Sequence, residues 1–350
     1  MARSITKVGA DVIKDGTITL SKFATTGTAS ASTVLYGDFS WASGAPSGKR
    51  DITATNATPT AGDIWFEASQ LQFAIDSNAA IGAFVTAASQ IAAGMSYVTG
   101  FGVQAATVRA GGNVSNNGSL GCETYNGTVW DTTNNLVGHR RESMSCGNLG
   151  AGLTWGGFYA PSPLSSSEEY DGACWSTGNA LPAAAANAGG VGTQSAALNA
   201  GPSTTVYSYD GTSWTSANNC SLTVVQVPFM AGTLTAAYKT GATSPASGQT
   251  EIWDGTCWSA GNPSSRSLQQ GMTAGSVNAG LNMGGYPNIE TSEEYDGTSF
   301  SAGPDMLVGI DSGGGSGSQS AGLTFNGHNG SASVKTAEEY HKPQISWNLI

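Results

Sequence analysis

One short pattern recurs along this chain about every 40 residues, and it restricts the possible folds more than any other feature. Each copy has an aromatic residue, then Asp-Gly or Asn-Gly, and then a second aromatic residue three positions after the glycine. The copies occupy residues 123–130, 168–175, 207–214, 251–258 and 293–300, and a degraded copy begins at residue 338. Their first aromatic residues, at positions 125, 170, 209, 253, 295 and 340, are 45, 39, 44, 42 and 45 residues apart. A period in this range indicates a propeller blade or another stacked repeat.

The local chemistry of one copy predicts two antiparallel strands joined by a tight turn. Asn-Gly and Asp-Gly supply the positive φ angles that such a turn needs, and the flanking aromatic residues favour strands. A small, apolar segment that ends in glycine precedes each hairpin, at residues 105–112, 151–157, 195–201, 234–241, 278–285 and 320–327. We expect these segments to lie where strands crowd a central axis, and a further strand to precede each of them, as at 95–102. Each period then holds about four short strands, the content of one propeller blade.

We therefore predict an all-β protein, a β-propeller of six or seven four-stranded blades with an extended N-terminal arm. The aromatic residues of the repeat form the predicted blade scaffold: Tyr125, Trp130, Tyr170, Trp175, Tyr209, Trp214, Trp253, Trp258, Tyr295, Phe300, Tyr340 and Trp347. The composition agrees, because 49 glycines suit many turns and closely packed strands, while 11% charged residues argues against a helical enzyme. We interpret the alanine-rich runs 77–95 and 181–188 as connections between blades.

The predicted domain boundaries separate an N-terminal docking arm, residues 1–58, from a propeller, residues 59–350. Residues 85–350 hold six repeats, and residues 59–84 form either a partial blade or a hairpin that latches the ring. Either arrangement would hide the terminal strand edges, whose unpaired backbone groups otherwise attract other chains.

The first fifty residues differ in charge from the rest of the chain. They carry six basic and three acidic residues, a net of +3, whereas the other 300 carry seven basic and 21 acidic residues, a net of −14. This asymmetry suggests a docking arm. Its candidate docking residues are Ile5, Lys7, Val8, Val12, Ile13, Ile18, Leu20 and Phe23. The N-terminus lacks an apolar run of seven or more residues, so we predict neither a secretory signal nor a membrane span.

Three segments resemble proteins of marine bacteriophage particles. Residues 5–13 resemble the N-terminal segments of tail-fibre and related virion proteins, and residues 59–66 with 71–73 resemble a short hairpin module of such proteins. The Glu-Glu-Tyr-Asp-Gly-Thr-Ser-Trp type of repeat, with Ala-Gly-Leu and Gly-Gly before it, is similar to the kelch-like repeats appended to them. The sequence departs from this pattern in its short third repeat and at His341-Lys342-Pro343, which replaces the last Asp-Gly turn.

The resemblance implies a kelch-like propeller in a structural virion protein, as a tail fibre or fibre-like appendage assembled in the host cytoplasm. The arm would contact other virion proteins of the tail or capsid, in multiple copies within a symmetric assembly, and the propeller would contact a host cell-surface glycan or protein. The first alternative is a capsid or tail decoration protein that makes only protein–protein contacts. The scarcity of basic clusters argues against nucleic acid as a partner.

No catalytic, metal or cofactor site is predicted, although a kelch-like oxidase or glycan-active enzyme is a second alternative. A copper-radical oxidase needs clustered His and Tyr ligands, whereas His139, His328 and His341 lie at different phases of the repeat. A sialidase box has one residue between its Asp and Gly, but Asp210 and Gly211 are adjacent. Because the carboxylates recur in register, we interpret them as scaffold, with alternating side chains facing outward and each Asp capping its own turn. These carboxylates are Glu168, Glu169, Asp171, Glu293, Glu294 and Asp296.

Two further groups of side chains complete the sequence-based predictions. The cysteines number five, and Cys174 and Cys257 share one phase of the repeat, so we expect them in separate blades and all five thiols reduced. Phe158, Tyr159 and Tyr286 follow the glycines of the small apolar segments, and we expect them in equivalent loops on one face. Exposed rings there can contact a sugar or a partner's pocket. The alternative is that they pack over a neighbouring blade or a crossing loop.

Overall fold

A computed structural model of the chain describes residues 82–201, 203–223, 226–241, 248–266 and 269–342, and the backbone of four short strands near the N-terminus. The chain divides into two units, Met1–Ala79 with Gln344–Ile350, and Ala80–Pro343. In the first unit, β1 (Ile13–Lys14) pairs with β2 (Thr17–Ile18), and β3 (Thr33–Leu35) pairs with β4 (Trp41–Ser43). The docking side chains predicted from the sequence lie outside the described residues.

The second unit contains six four-stranded antiparallel sheets, the blades, and no helix in its described residues. Blade 1 consists of β6 (Thr99–Val103), β7 (Ala106–Ala110), β10 (Cys122–Tyr125) and β11 (Trp130–Thr132). Blade 2 consists of β12 (Met144–Asn148), β13 (Ala151–Trp155), β16 (Ser167–Tyr170) and β17 (Trp175–Gly178). Blade 3 consists of β18 (Gly189–Thr193), β19 (Ala196–Ala200), β20 (Val206–Tyr209) and β21 (Trp214–Ala217).

The other three blades follow the same plan, from the innermost strand outward. Blade 4 consists of β22 (Phe229–Thr233), β23 (Ala236–Thr240), β24 (Thr250–Trp253) and β25 (Trp258–Gly261). Blade 5 consists of β26 (Met272–Ser276), β27 (Ala279–Met283), β28 (Ser292–Tyr295) and β29 (Phe300–Ala302). Blade 6 consists of β30 (Gly314–Gly317), β31 (Ala321–Phe325), β32 (Ala337–His341) and β5 (Ala83–Ala87). Two small hairpins, β8–β9 (Asn113–Val114 and Asn117–Gly118) and β14–β15 (Phe158–Tyr159 and Ser162–Pro163), complete the unit.

The blades close into a ring. Each innermost strand contacts the innermost strands of both neighbouring blades, and β30 of the last blade contacts β6 of the first. The predicted all-β propeller is therefore confirmed, with six blades rather than seven.

The ring is closed by a strand from the beginning of the unit. β5 pairs with β32, so that Phe84 lies opposite Tyr340 and their rings are 5.1 Å apart. This is the spacing of Tyr125 and Trp130, 5.0 Å, in blade 1. Phe84 thus occupies the position that the sequence assigned to Trp347, which lies outside the described residues. The run 77–95 is for this reason partly a blade strand, not only a connection. Residues 59–81, the other part of the predicted partial blade or latch, are also outside the described residues.

The hydrophobic core lies between blades rather than within one. Six clusters of buried side chains in the described residues each combine two adjacent blades, as when Phe101 and Val108 of blade 1 meet Tyr170 and Trp175 of blade 2. A blade buries its apolar faces only against its neighbours, so the closed ring is what completes the core.

The Ala-Gly-Leu segments do not line the axis, contrary to the expectation from the sequence. They form the second strand of each blade, and the strands just before them are the innermost ones. Their glycines instead admit a ring of the preceding blade, since a Cβ on Gly152 would lie 2.2 Å from Phe101 and one on Gly280 2.4 Å from the Tyr238 hydroxyl. A larger residue there would separate two blades.

Candidate binding face

The connections of the blades lie at two ends of the ring, because neighbouring strands are antiparallel. Turns between the first and second strands, and between the third and fourth, share one end, which we call the turn face. Loops between the second and third strands share the other end with the connections between blades, and we call this end the mouth face.

The Asp-Gly turns of the turn face are stabilised by their own aspartates. Asp171 Oδ1 accepts hydrogen bonds from the backbone N–H groups of Ala173 and Cys174, at 2.8 and 2.6 Å. Asp210, Asp254 and Asp296 make the same two bonds in their turns. These backbone donors lower the pKa of each of the four carboxyl groups.

The first glutamate of each Glu-Glu-Tyr segment is buried, and the second is partly exposed. Glu168 is 2% exposed and accepts hydrogen bonds from the N–H groups of Val137 and Gly138 in the preceding inter-blade connection. It also pairs with Arg140 at 2.6 Å. The equivalent glutamates form the buried pairs Arg109–Glu123 and Lys239–Glu251, and Glu293 pairs with the partly exposed Arg266. Buried charges of this kind are retained because each is paired and hydrogen-bonded.

The second glutamate joins two blades through a tyrosine hydroxyl. Glu169 of blade 2 accepts a 2.6 Å hydrogen bond from Tyr209 of blade 3. The equivalent bonds run from Tyr340 to Glu294 and, across the closure of the ring, from Tyr125 to Glu339 at 2.8 Å. The recurring carboxylates thus hold blades together.

Most basic residues of the propeller unit form ion pairs with the repeated glutamates, whereas Arg141 pairs with a residue outside the repeat motifs. Of the seven between residues 80 and 343, six form ion pairs in the described residues, and Lys335 is the other one. Arg141 differs from the other five because its partner, Glu142, belongs to no repeat motif. Their atoms Nη1 and Oε1 are 2.6 Å apart on the mouth face.

Six residues surround the axis at the mouth face, and we call them the mouth ring. Each stands two positions before the innermost strand of its blade: Tyr97, Glu142, Asn187, Val227, Gln270 and Ser312. Backbone hydrogen bonds join neighbours head to tail, including Tyr97 N–H to Ser312 O at 2.6 Å and Glu142 N–H to Tyr97 O at 3.1 Å. Five of the six possible links are present in the described residues.

The side chains of the mouth ring are joined to one another on the side of blades 1 to 3. Glu142 is held between Arg141 and Asn187, whose Nδ2 lies 3.2 Å from Glu142 Oε2. The Arg141 guanidinium lies 4.9 Å from the centre of the Phe158 ring and 5.7 Å from that of Tyr97. We call these five residues the charged sector. Two of its buried polar atoms, Arg141 Nε and Asn187 Oδ1, have no hydrogen-bond partner within the described protein.

The aromatic residues predicted as receptor contacts do lie in loops of the mouth face. Phe158 and Tyr286 occupy equivalent positions, since each pairs with the residue just before the mouth ring, Arg141 and Gln269 respectively. Tyr286 is 53% exposed and Tyr159 is 39% exposed. Tyr159 stacks on His139, with ring centres 5.3 Å apart, whereas Phe158 is half-buried beneath Arg141.

The axial channel beneath the mouth ring contains two cavities. The upper one has a volume of about 130 Å³, and the lower one of about 200 Å³. Both are lined by the innermost strands, mostly by glycine and small polar residues, and Ser143 in the upper one has a buried hydroxyl without a protein partner.

The described residues contain no group of three or more His, Cys, Asp or Glu side chains placed to hold a metal ion. His139 and His328 lie on the mouth face, in contact with Tyr159 and Asp311 respectively, and His341 lies beside Glu339 at the end of β32. All five cysteines are free thiols, with Cys174 and Cys257 exposed in turns of blades 2 and 4. No helix among these residues is long and apolar enough to cross a membrane.

The comparisons with known proteins agree with the fold and leave the family open. No family model matches the chain, and no curated protein matches it. The solved structure of YjhT is 12% identical, covers 72% of this chain and 95% of its own, and superimposes with a TM-score of 0.58. A fungal alcohol oxidase of the AA5 family in complex with copper is 14% identical, covers 73% of this chain and 64% of its own, and has a TM-score of 0.49. At these identities the likeness to YjhT concerns the propeller fold alone.

Proposed function

We propose that this chain is a structural bacteriophage virion protein, which its N-terminal arm attaches to the particle and whose propeller is displayed as a binding head. The observation that carries the proposal is the separation of roles within the chain. The repeated carboxylates are occupied by contacts between blades or by their own turns, while unrepeated polar and aromatic side chains collect on the mouth face. A binding head needs such a rigid ring with one variable face.

The arm is the other part of the proposal. Its net charge of +3 contrasts with −14 for the rest of the chain, and residues 5–13 resemble N-terminal segments of tail-fibre proteins. Ordering about twenty extended residues costs roughly 1–2 kcal/mol each in backbone freedom, so an arm of this kind needs a large partner surface or several copies in one assembly. A tail fibre or fibre-like appendage provides both. The face that it displays would contact a glycan or protein of the host surface.

The test compares the full-length chain with a variant that lacks residues 1–40. Both carry an epitope tag and are supplied during growth of a phage that encodes the chain, and the tag is then measured in purified particles. We expect the full-length chain in the particles and the truncated chain only in the lysate, although circular dichroism should show it folded. Tyr286→Ala, which leaves the arm intact, is the control and should be incorporated normally.

Each result bears on one part of the proposal. Incorporation of the truncated chain at the full-length level would show that the arm does not dock. Absence of both tagged chains and of the native protein from particles would rule out the virion role. If electron microscopy of labelled particles places the protein flat on the capsid, a decoration protein with only protein–protein contacts is the better description.

A further inference from the structure

Comparison of the six blades shows at which positions the backbone requires one residue type and at which it allows several. The fourth residue of the innermost strand is glycine in all six blades: Gly102, Gly147, Gly192, Gly232, Gly275 and Gly317. All have positive φ, and a Cβ there would lie 2.1–2.3 Å from a carbonyl oxygen of the next strand. Where the backbone alone decides, the chain therefore places the same residue six times.

The mouth ring, at the opposite end of the same strands, does not repeat one residue type. Five of its six residues also have positive φ, between 54° and 59°, yet none is glycine and no residue type occurs twice. They account for five of the nine positive-φ residues other than glycine in the described chain. For a residue with a side chain this backbone conformation costs about 1–2 kcal/mol, least for Asn. The side chains at the mouth are thus retained against a local preference for glycine, as is typical of functional sites.

The charged sector has unsatisfied hydrogen-bonding capacity, as does the Ser312 hydroxyl elsewhere in the mouth ring. Arg141 Nε is a donor without a partner and Asn187 Oδ1 is an acceptor without one. Glu142 lies between them with a side chain 9% exposed, and its two oxygens are already used by Arg141 and Asn187. A ligand that completes this network must therefore both accept and donate hydrogen bonds, as a hydroxyl group does.

The charge of the face narrows the class of ligand further. Arg141 is neutralised by Glu142, and the chain after residue 50 has a net charge of −14. An anionic ligand would find no free cation in the charged sector and would be repelled by the surrounding field. Beside the sector, Tyr159 offers a ring that is 39% exposed and backed by His139. An aromatic ring of this kind packs against the C–H face of a saturated ring.

We propose that the charged sector and Tyr159 form a binding site for a neutral sugar, which joins its hydroxyl groups to Arg141 and Asn187 and packs its ring on Tyr159. The site rests on the proposed function, because it gives the displayed head its ligand class. It also places recognition on the blade 1 to 3 side of the mouth, so that Tyr286, at the blade 5 position, is not required.

The test measures binding of the full-length chain to an array of neutral and acidic glycans, with a set of single-residue variants. Asn187→Gly is the central variant, because glycine adopts the left-handed backbone of Asn187 without strain and removes only the side chain. We expect neutral glycans to bind the wild type, and Asn187→Gly and Tyr159→Ala to weaken that binding at least tenfold. The melting temperature of Asn187→Gly should stay within about 3 °C of the wild type.

The matched control is Ser312→Gly, the same replacement at the equivalent ring position of blade 6, where φ is 54°. Gln270 is unsuitable because its Nε2 donates a hydrogen bond to the Tyr97 hydroxyl of the charged sector. Ser312→Gly should retain full binding. Binding of acidic glycans alone, equal losses in both glycine variants, or no binding by the wild type would each overturn the proposal. Particle incorporation tests the virion role separately. If Asn187→Gly and Tyr159→Ala are incorporated normally and bind glycans as tightly as the wild type, only the sugar site is refuted. Loss of incorporation on arm deletion is independent of either glycine variant.

Discussion

The buried ion pair between Arg140, in the connection from blade 1 to blade 2, and Glu168 of blade 2 gives a quantitative test of how this connection is held. Arg140 is fully buried, Glu168 is 2% exposed, and Arg140 Nη2 lies 2.6 Å from Glu168 Oε1. Glu168→Gln keeps the size of the side chain but leaves the Arg140 charge buried without a counter-charge. Breaking one partner of a buried pair costs about 3–5 kcal/mol, which corresponds to a fall of roughly 6–20 °C in melting temperature.

Blade 6 supplies the matched control for this substitution. Glu338 occupies the equivalent position and accepts hydrogen bonds from the N–H groups of Leu307 and Val308, at 2.8 and 2.9 Å. The described residues provide no cation within ion-pair distance of it. Glu338→Gln therefore changes the same two backbone contacts without stranding a charge, and we expect it to cost about 1–2 kcal/mol.

Urea unfolding at pH 7, followed by tryptophan fluorescence, measures both variants against the wild type. The difference between the two losses isolates the contribution of Arg140, because the side-chain change and the backbone donors are the same. We expect Glu168→Gln to lose at least about 2 kcal/mol more than Glu338→Gln. Equal losses would refute the reasoning, since they would mean that the backbone contacts alone account for the role of this glutamate.

The remaining predictions concern pH, the closing strand and the thiols. Burial raises the pKa of Glu338 above its ordinary 4.5, against the lowering effect of the two N–H donors, so its protonated form favours the folded state. This contribution to the free energy of unfolding is fully present below pH 4.5 and is lost as the pH rises through the folded-state pKa of Glu338. The stability of the wild type relative to Glu338→Gln should therefore be greater at pH 4 than at pH 7. A difference in unfolding free energy that stays constant between these pH values would contradict the prediction. Deletion of residues 1–79 keeps β5 and should leave a cooperatively melting propeller, whereas deletion of 1–88 uncovers the edge of β32 and should give dimers or aggregates in size-exclusion chromatography; a monomeric 89–350 fragment with unchanged melting would show that β5 is dispensable. With a thiol reagent at pH 8, two of the five cysteines should react in the native protein, because Cys174 and Cys257 are exposed whereas Cys122, Cys146 and Cys220 are buried. Burial also raises the pKa of Cys122 to about 11 and raises that of Cys146. All five should react in denaturant, and rapid native reaction of a third would argue against the packing of these strands.

The sequence by itself determined the blades, because the signals for a blade are local. An aromatic residue, Asp-Gly and a second aromatic residue lie within a few positions of one another, and the aspartate of Asp171 or Asp296 caps its own turn. Turn geometry and strand alternation act over such short distances, so the fold class and the strand content of each repeat follow from them. The equivalence of Phe158 and Tyr286 follows for the same reason, since each keeps its phase within the repeat.

Only the tertiary structure decided how the blades meet. The strand that completes blade 6 comes from Ala83–Ala87, about 250 residues before its partner and without the repeat motif. Glu168 is buried because the connection that precedes its blade supplies Arg140 and two N–H groups. The mouth ring joins residues some 40 positions apart, such as Glu142 and Asn187, which no local pattern connects. These contacts form only when the ring closes, because they join residues that lie far apart in the sequence and belong to different blades.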